Sequence, residues 1–145
     1  MRLALLAASL LALPLAATAQ TVQHATAALI NAQGTQIGTV DFRQGPHALV
    51  LRIDVSTLPP GAHGIHLHAI GKCDPPDFTS AGGHVGHSAS HPHGLLGAKR
   101  AEAGDLPNLI VGPDGTARAE MAVTDLRLDK LLANGSGGIN ANEDD

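Results

Sequence analysis

Residues 61–73 read Gly61-Ala62-His63-Gly64-Ile65-His66-Leu67-His68-Ala69-Ile70-Gly71-Lys72-Cys73, and the rest of the chain is organised around them. In a strand, successive side chains alternate between faces, so His66 and His68 point the same way. Two imidazoles at i and i+2 on a rigid strand can grip one metal ion with little reorganisation. His63, an odd number of positions away, falls on the opposite face and has another job. A lone strand histidine is usually an ordinary hydrogen-bonded residue. Here most of the chain's nine histidines fall between residues 63 and 93, and neutral imidazole is the commonest metal ligand. The pattern points to a metal site.

Working outward, Leu58-Pro59-Pro60-Gly61 breaks the chain just before this stretch, and Ala48 to Val55 is the clearest strand ahead of it. Val22 to Ile30 and Gln36 to Arg43 alternate more weakly around Asn31-Ala32-Gln33-Gly34, a hairpin signal. Downstream, residues 70–107 are rich in Gly, Pro, His, Ser and Asp and carry little periodicity. A loop that long inside a compact domain is normally functional or disordered; its histidines argue for a loop folded around metal. Asn108 to Val111 and Thr116 to Val123, joined by Gly112-Pro113-Asp114-Gly115, give a second hairpin signal. Leu126 to Leu132 is equally compatible with a short helical turn and an extended connection, and residues 137–141 can open a last strand. There is no internal repeat. Short strands separated by turn signals predict an all-β sandwich or barrel.

The chain opens with a short positive start, an apolar run from Leu3 to Leu15 and the small residues Ala17-Thr18-Ala19. That order is a secretory signal peptide over residues 1–19, cleaved before Gln20, which predicts a periplasmic or secreted protein. The apolar run is short for a membrane span. Residues 20–145 then form one domain, with eight basic against 13 acidic residues and a formal charge of −5. An acidic chain with no Trp or Tyr and two Phe lacks the basic, aromatic surface that nucleic acids require, so neither nucleic acid nor membrane is an expected partner. Cys73 is the single cysteine, which leaves a free thiol or an intermolecular partner in an oxidising compartment. A homodimer is the one protein partnership suggested.

Two further segments complete the pattern. Gly61 to His68, Ala81-Gly82-Gly83-His84 and Gly104-Asp105-Leu106-Pro107-Asn108 together resemble the copper/zinc superoxide dismutase family, above all its secreted bacterial branch. The likeness covers nearly all of residues 22–145 and its motifs occur in order. It implies a Greek-key β-barrel with a long metal-binding loop, copper and zinc as cofactors, and conversion of superoxide to oxygen and hydrogen peroxide. By the same resemblance, His66 and His68 match the paired copper ligands, and His84 matches the histidine whose imidazolate bridges copper and zinc. His93 and Asp105 match zinc ligands. His63 matches a position that braces the backbone, and Cys73 matches the family's disulfide cysteine. His66, His68 and His84 are thus the expected catalytic set.

Two positions depart from the family pattern. Glu102 stands where a zinc histidine is expected; a carboxylate can still ligate zinc, with His87 and His91 as substitutes for which loop solvation is the favoured role. Asn140 stands in the Ile-His-Ala segment that supplies the last copper histidine, and no histidine follows His93. The chain also stops where the family continues. The electrostatic loop, the arginine beside copper, the aspartate linking the two metal sites, the second disulfide cysteine and the final strand have no counterpart. An unpaired sheet edge would then favour low stability or self-association. Three imidazoles suit Cu(I), whereas the tetragonal geometry preferred by Cu(II) is poorly supported, so slow turnover relative to the family is expected. The rival reading is a secreted copper- or zinc-sequestering protein descended from the enzyme. A truncated ordinary dismutase explains the ending but not Asn140 or Glu102. A cupin is set aside, because Ala69-Ile70-Gly71-Lys72 holds no acidic residue after the histidine pair.

Overall fold

The computed structural model describes residues 23–88, 90, 93–96, 101–133 and 138–142; the expected signal peptide and His91 lie outside them. Among the described residues, seven strands form two antiparallel sheets: β1 (His24–Ile30), β2 (Gln36–Gln44), β3 (Leu49–Val55), β4 (Gly61–His68), β5 (Leu109–Val111), β6 (Ala117–Val123) and β7 (Gly138–Asn142). One sheet has the order β1-β2-β3-β6 and the other β5-β4-β7. The chain leaves β3, lays down β4 and β5 in the second sheet, then returns to place β6 beside β3. That return is a Greek-key connection, as the family resemblance implies.

Period-two alternation explains why these residues make strands. In β3, Leu49, Leu51, Ile53 and Val55 are buried while Arg52 and Asp54 are exposed. The inward row meets Val40 and Phe42 of β2, Ile65 and Leu67 of β4, and Leu109 and Val111 of β5 in one apolar core. Burying such a side chain contributes about 1.5–3 kcal/mol, so each strand's register is held by its inward face. The β1–β2 turn closes as a hairpin. Asn31 Oδ1 accepts hydrogen bonds from the N–H groups of Gln33 at 3.0 Å and Thr35 at 2.9 Å, and Gly34 takes the positive φ of 76° that the turn needs.

The second hairpin signal is corrected by the structure. Residues 112–116 do form a tight turn, with Gly112 N–H donating to Thr116 O at 2.9 Å. The strands it joins nevertheless pair with other partners. β5 pairs with residues 61–63 of β4, while β6 pairs along its whole length with β3, from Leu49↔Val123 to Val55↔Ala117. On the outer face, Arg52 donates to Glu120 at 2.7 Å and Arg118 to Asp54 at 2.8 Å. A seven-residue ladder with two opposite-charge pairs outweighs three local pairs. The turn therefore bridges two sheets.

The ambiguous segment resolves as a short helix, α1 (Leu128–Ala133), which buries Leu128 and Leu131. The Leu128 N–H donates to Gln44 Oε1 at 2.9 Å, tying the helix start to the end of β2. The strand expected at 137–141 is β7, antiparallel to β4 with His66 opposite Asn140.

Candidate metal centre

β4 buries Ile65 and Leu67 completely on its core side. The alternate positions, His66 and His68, therefore face the long loop. That loop is stitched to β4 by backbone hydrogen bonds: Leu67 N–H to Gly104 O at 2.9 Å, Val85 N–H to Leu67 O at 2.8 Å, and Gly104 N–H to Val85 O at 2.8 Å. These bonds bring three chain segments side by side. Residues 84–85 and 104–105 arrive next to residues 66–68, with His68 bridged to His84 and His66 to Asp105. Gly104 allows this approach. A Cβ there would lie 2.4 Å from Leu67 O and 3.0 Å from Val85 N, so only a residue without a side chain fits.

His84 lies at the junction of two donor groups. Its Nδ1 is 2.8 Å from Glu102 Oε2 and 3.6 Å from Asp105 Oδ1. Its ring stacks on His66, with centroids 4.2 Å apart, and meets His68 edge-on at 5.0 Å. His93 Nδ1 completes the carboxylate side, 3.0 Å from Asp105 Oδ1 and 3.6 Å from Glu102 Oε2. The donor atoms of His66, His84, His93 and Asp105 all lie within 4.8 Å of one another. His68 stands outside that closest set. Its Nδ1 donates to Gly82 O at 2.8 Å, since a carbonyl only accepts. That bond leaves the Nε2 lone pair available, the usual arrangement of a metal-binding histidine.

The donor chemistry fits a cation between the carboxylates and imidazoles. Asp105 Oδ1 is buried and accepts no hydrogen bond, although His93 Nδ1 lies 3.0 Å away. The two atoms are close but misaligned for N–H donation. An orphaned carboxylate oxygen in the interior is costly, and a cation would satisfy it. Tetrahedral zinc with bonds of about 2.0–2.1 Å has ligand-to-ligand edges of about 3.3–3.4 Å. The four imidazole–carboxylate separations, 2.8, 3.0, 3.6 and 3.6 Å, fall on either side of that value.

Glu102 is 4% exposed. Burial pushes its carboxyl up, but hydrogen bonds from His87 and His84, with their positive charge, outweigh it. The group is held below its ordinary value and stays an anion facing the imidazoles. His87, whose expected role was loop solvation, is largely exposed yet holds Glu102 Oε1 through its Nδ1. His63 lies on the core side of β4, 2% exposed. Its Nε2–H donates to Pro59 O at 2.8 Å, which ties the Leu58–Gly61 turn to the strand. Sequence reading missed the contributions of Gly82 O and Gly104, because a backbone carbonyl and an absent side chain leave no chemical signature in a string of residues.

Residues 36–145 match the family described as copper/zinc superoxide dismutase. This chain belongs to that family. The family binds copper and zinc, and the cluster around His84 is a site that could hold metal. A relative from Caulobacter vibrioides named superoxide dismutase [Cu-Zn] is 41% identical over 97 residues, which cover 67% of this chain and 56% of the relative. The chain thus spans little more than half the length of that curated relative. The crystal structure of a dismutase-like protein from Bacillus subtilis matches with a TM-score of 0.65 at 32% identity, over 75% of this chain and 72% of that one. The copper/zinc superoxide dismutase from Brucella abortus matches with a TM-score of 0.63 at 28% identity, over 74% and 77% of the two chains. The antiparallel two-sheet architecture is therefore the family's fold.

Proposed function

We propose that this chain is a superoxide dismutase with a copper site at His66, His68 and His84 and a zinc site at His84, His93, Glu102 and Asp105. One observation carries the reading. The His84 ring turns its Nδ1 edge to two buried carboxylates while lying against both His66 and His68, so one imidazole serves both donor groups. Copper held there would supply one-electron cycling between Cu(II) and Cu(I), by which two superoxide anions and two protons become oxygen and hydrogen peroxide.

The chain's own residues prepare that chemistry. His68 is locked in one tautomer by Gly82 O, so its donor nitrogen needs no proton loss before binding metal. The carboxylates of Glu102 and Asp105 both face Nδ1 of His84, so that zinc shared among the three would fix the orientation of the His84 ring. Its Nε2, on the far edge from those carboxylates, is the His84 atom that would face copper and is suited to hold a proton. The substrate is superoxide, a small anion, and neither nucleic acid nor membrane is assigned as a partner. The order of residues 1–19 supports export to the periplasm or medium.

A second reading, metal sequestration without turnover, has its own support. The residue opposite His66 in the β4–β7 register is Asn140, and an amide oxygen is a poor ligand for Cu(II). Measuring copper and zinc stoichiometry together with superoxide consumption on one purified sample separates the two. Metal-loaded protein that consumes superoxide, with loss in His84→Ala, supports the dismutase. Full copper and zinc occupancy without consumption assigns the chain to sequestration.

A further inference from the structure

The Glu102 carboxylate has two oxygens with different neighbours. Oε2 faces His84 Nδ1 at 2.8 Å and His93 Nδ1 at 3.6 Å. Oε1 is engaged by His87 Nδ1. His87 sits on the turn that leaves His84, where Gly86 takes a positive φ of 82° and the His87 N–H reaches His84 O at 3.3 Å. A Cβ on Gly86 would press on Ala103 at 3.0 Å, so this turn lies directly against the segment that carries Glu102. The His87 side chain is 71% exposed, whereas that of Glu102 is 1% exposed. His87 therefore covers a buried carboxylate from the solvent side, and among the described residues it is not one of the clustered donor atoms.

We infer that His87 is a positioning residue of the zinc site: its Nδ1–H holds Glu102 Oε1 so that Oε2 alone is presented to the metal. The inference rests on the zinc reading given above. An ionised carboxylate accepts only, so the proton of this contact belongs to His87. A glutamate has one more rotatable bond than an aspartate and can swing either oxygen, or both, toward a cation. Pinning one oxygen removes that freedom and leaves a single donor, matching the one position a fourth zinc ligand must fill. Asp105 is pinned in the same fashion, since its Oδ2 accepts the Gly94 N–H at 2.8 Å while Oδ1 stays unpaired. Both carboxylates thus give one oxygen to an N–H donor and direct the other at the imidazoles. Such outer partners of metal ligands typically change affinity by 10–100-fold when removed.

The test uses the full chain and Zn²⁺ as the probe, in competition with a chromogenic chelator, on His87→Ala, His87→Asn and Glu102→Ala. Asparagine places an amide N–H near the position of histidine Nδ1 and can still donate to Oε1. His87 is exposed, so a matched melting curve is expected for both of its variants. Zinc affinity should fall about 10–100-fold in His87→Ala and return most of the way in His87→Asn. The Co²⁺-loaded protein should keep its visible band positions in His87→Asn, because the direct ligands are unchanged. Wild-type affinity in His87→Ala, with affinity lost in Glu102→Ala, overturns the positioning role and leaves the zinc reading standing. Wild-type affinity in both overturns the two together. A fall in His87→Ala that asparagine does not rescue, with shifted Co²⁺ bands, overturns the inference by making His87 a direct ligand.

Discussion

Replacing Gly104 with alanine tests how the metal loop is built, because this residue joins three chain segments. Its φ is not in the left-handed region, so alanine meets no backbone penalty there and the effect comes from space alone. The new Cβ would stand 2.4 Å from Leu67 O and 3.0 Å from Val85 N, both backbone atoms of packed segments with no side-chain freedom to yield. To relieve the clash, residue 104 must withdraw from β4. That withdrawal breaks the Leu67 N–H to Gly104 O and Gly104 N–H to Val85 O bonds. Two backbone hydrogen bonds at about 1 kcal/mol each give a loss of about 2 kcal/mol, before any cost of displaced packing. With a urea slope of about 2 kcal/mol per molar, the unfolding midpoint should drop by roughly 1 M. The measurement belongs in excess chelator, so that metal binding does not mask it. Zinc retention should fall in parallel, since Glu102 and Asp105 flank the displaced residue. A midpoint within the error of wild type, with zinc retained, would refute the claim that close backbone approach at Gly104 assembles the site.

Three more outcomes are expected. Asn140→His places an imidazole at the position opposite His66; it should tighten Cu(II) binding, add a nitrogen to the copper spectrum and raise the dismutation rate, and an unchanged spectrum and rate would favour sequestration. Glu102→His should strengthen zinc retention relative to wild type while Glu102→Ala weakens it, read by dialysis against a chelator; if neither changes retention, Glu102 is not a ligand. Asp114 accepts hydrogen bonds from the Thr116 N–H at 3.1 Å and from its hydroxyl at 2.9 Å, first the backbone bond and then the side-chain bond drawing its carboxyl below the ordinary value of 3.8. The folded value being the lower one, this contribution to stability is present above the unfolded value and is lost as pH falls through the folded one; a carbon-detected NMR titration of Asp114 with a midpoint at or above 3.8 would contradict it.

Much of this protein could be read in one dimension, for a local reason. Strand identity follows from alternation, and Leu49, Leu51, Ile53 and Val55 announce an inward face without reference to any partner. The same rule separates His66 and His68 from His63, and the structure keeps them apart: His63 braces Pro59 on the core side while His66 lies against the loop histidines. Pairing is a different kind of fact. The stretch 108–123 carries all the local chemistry of a hairpin and forms its turn, yet β5 and β6 lie in different sheets. Which strand a given strand joins depends on ladder length and on charges at distant positions, such as Arg52 with Glu120.

For the site, alternation along one strand was enough to nominate His66 and His68, whereas His84, His93, Glu102 and Asp105 were nominated by the resemblance of their segments to the family's motifs. Their division of labour could come only from three dimensions. That His84 presents Nδ1 to the carboxylates, that Gly82 sets the tautomer of His68, and that His87 rests on the outer oxygen of Glu102 are facts of distance and direction between residues far apart in the chain, such as His84 and Asp105. A sequence records which donors exist. Folding decides which of their lone pairs converge, because that depends on how closely three backbone segments can pack at Gly104.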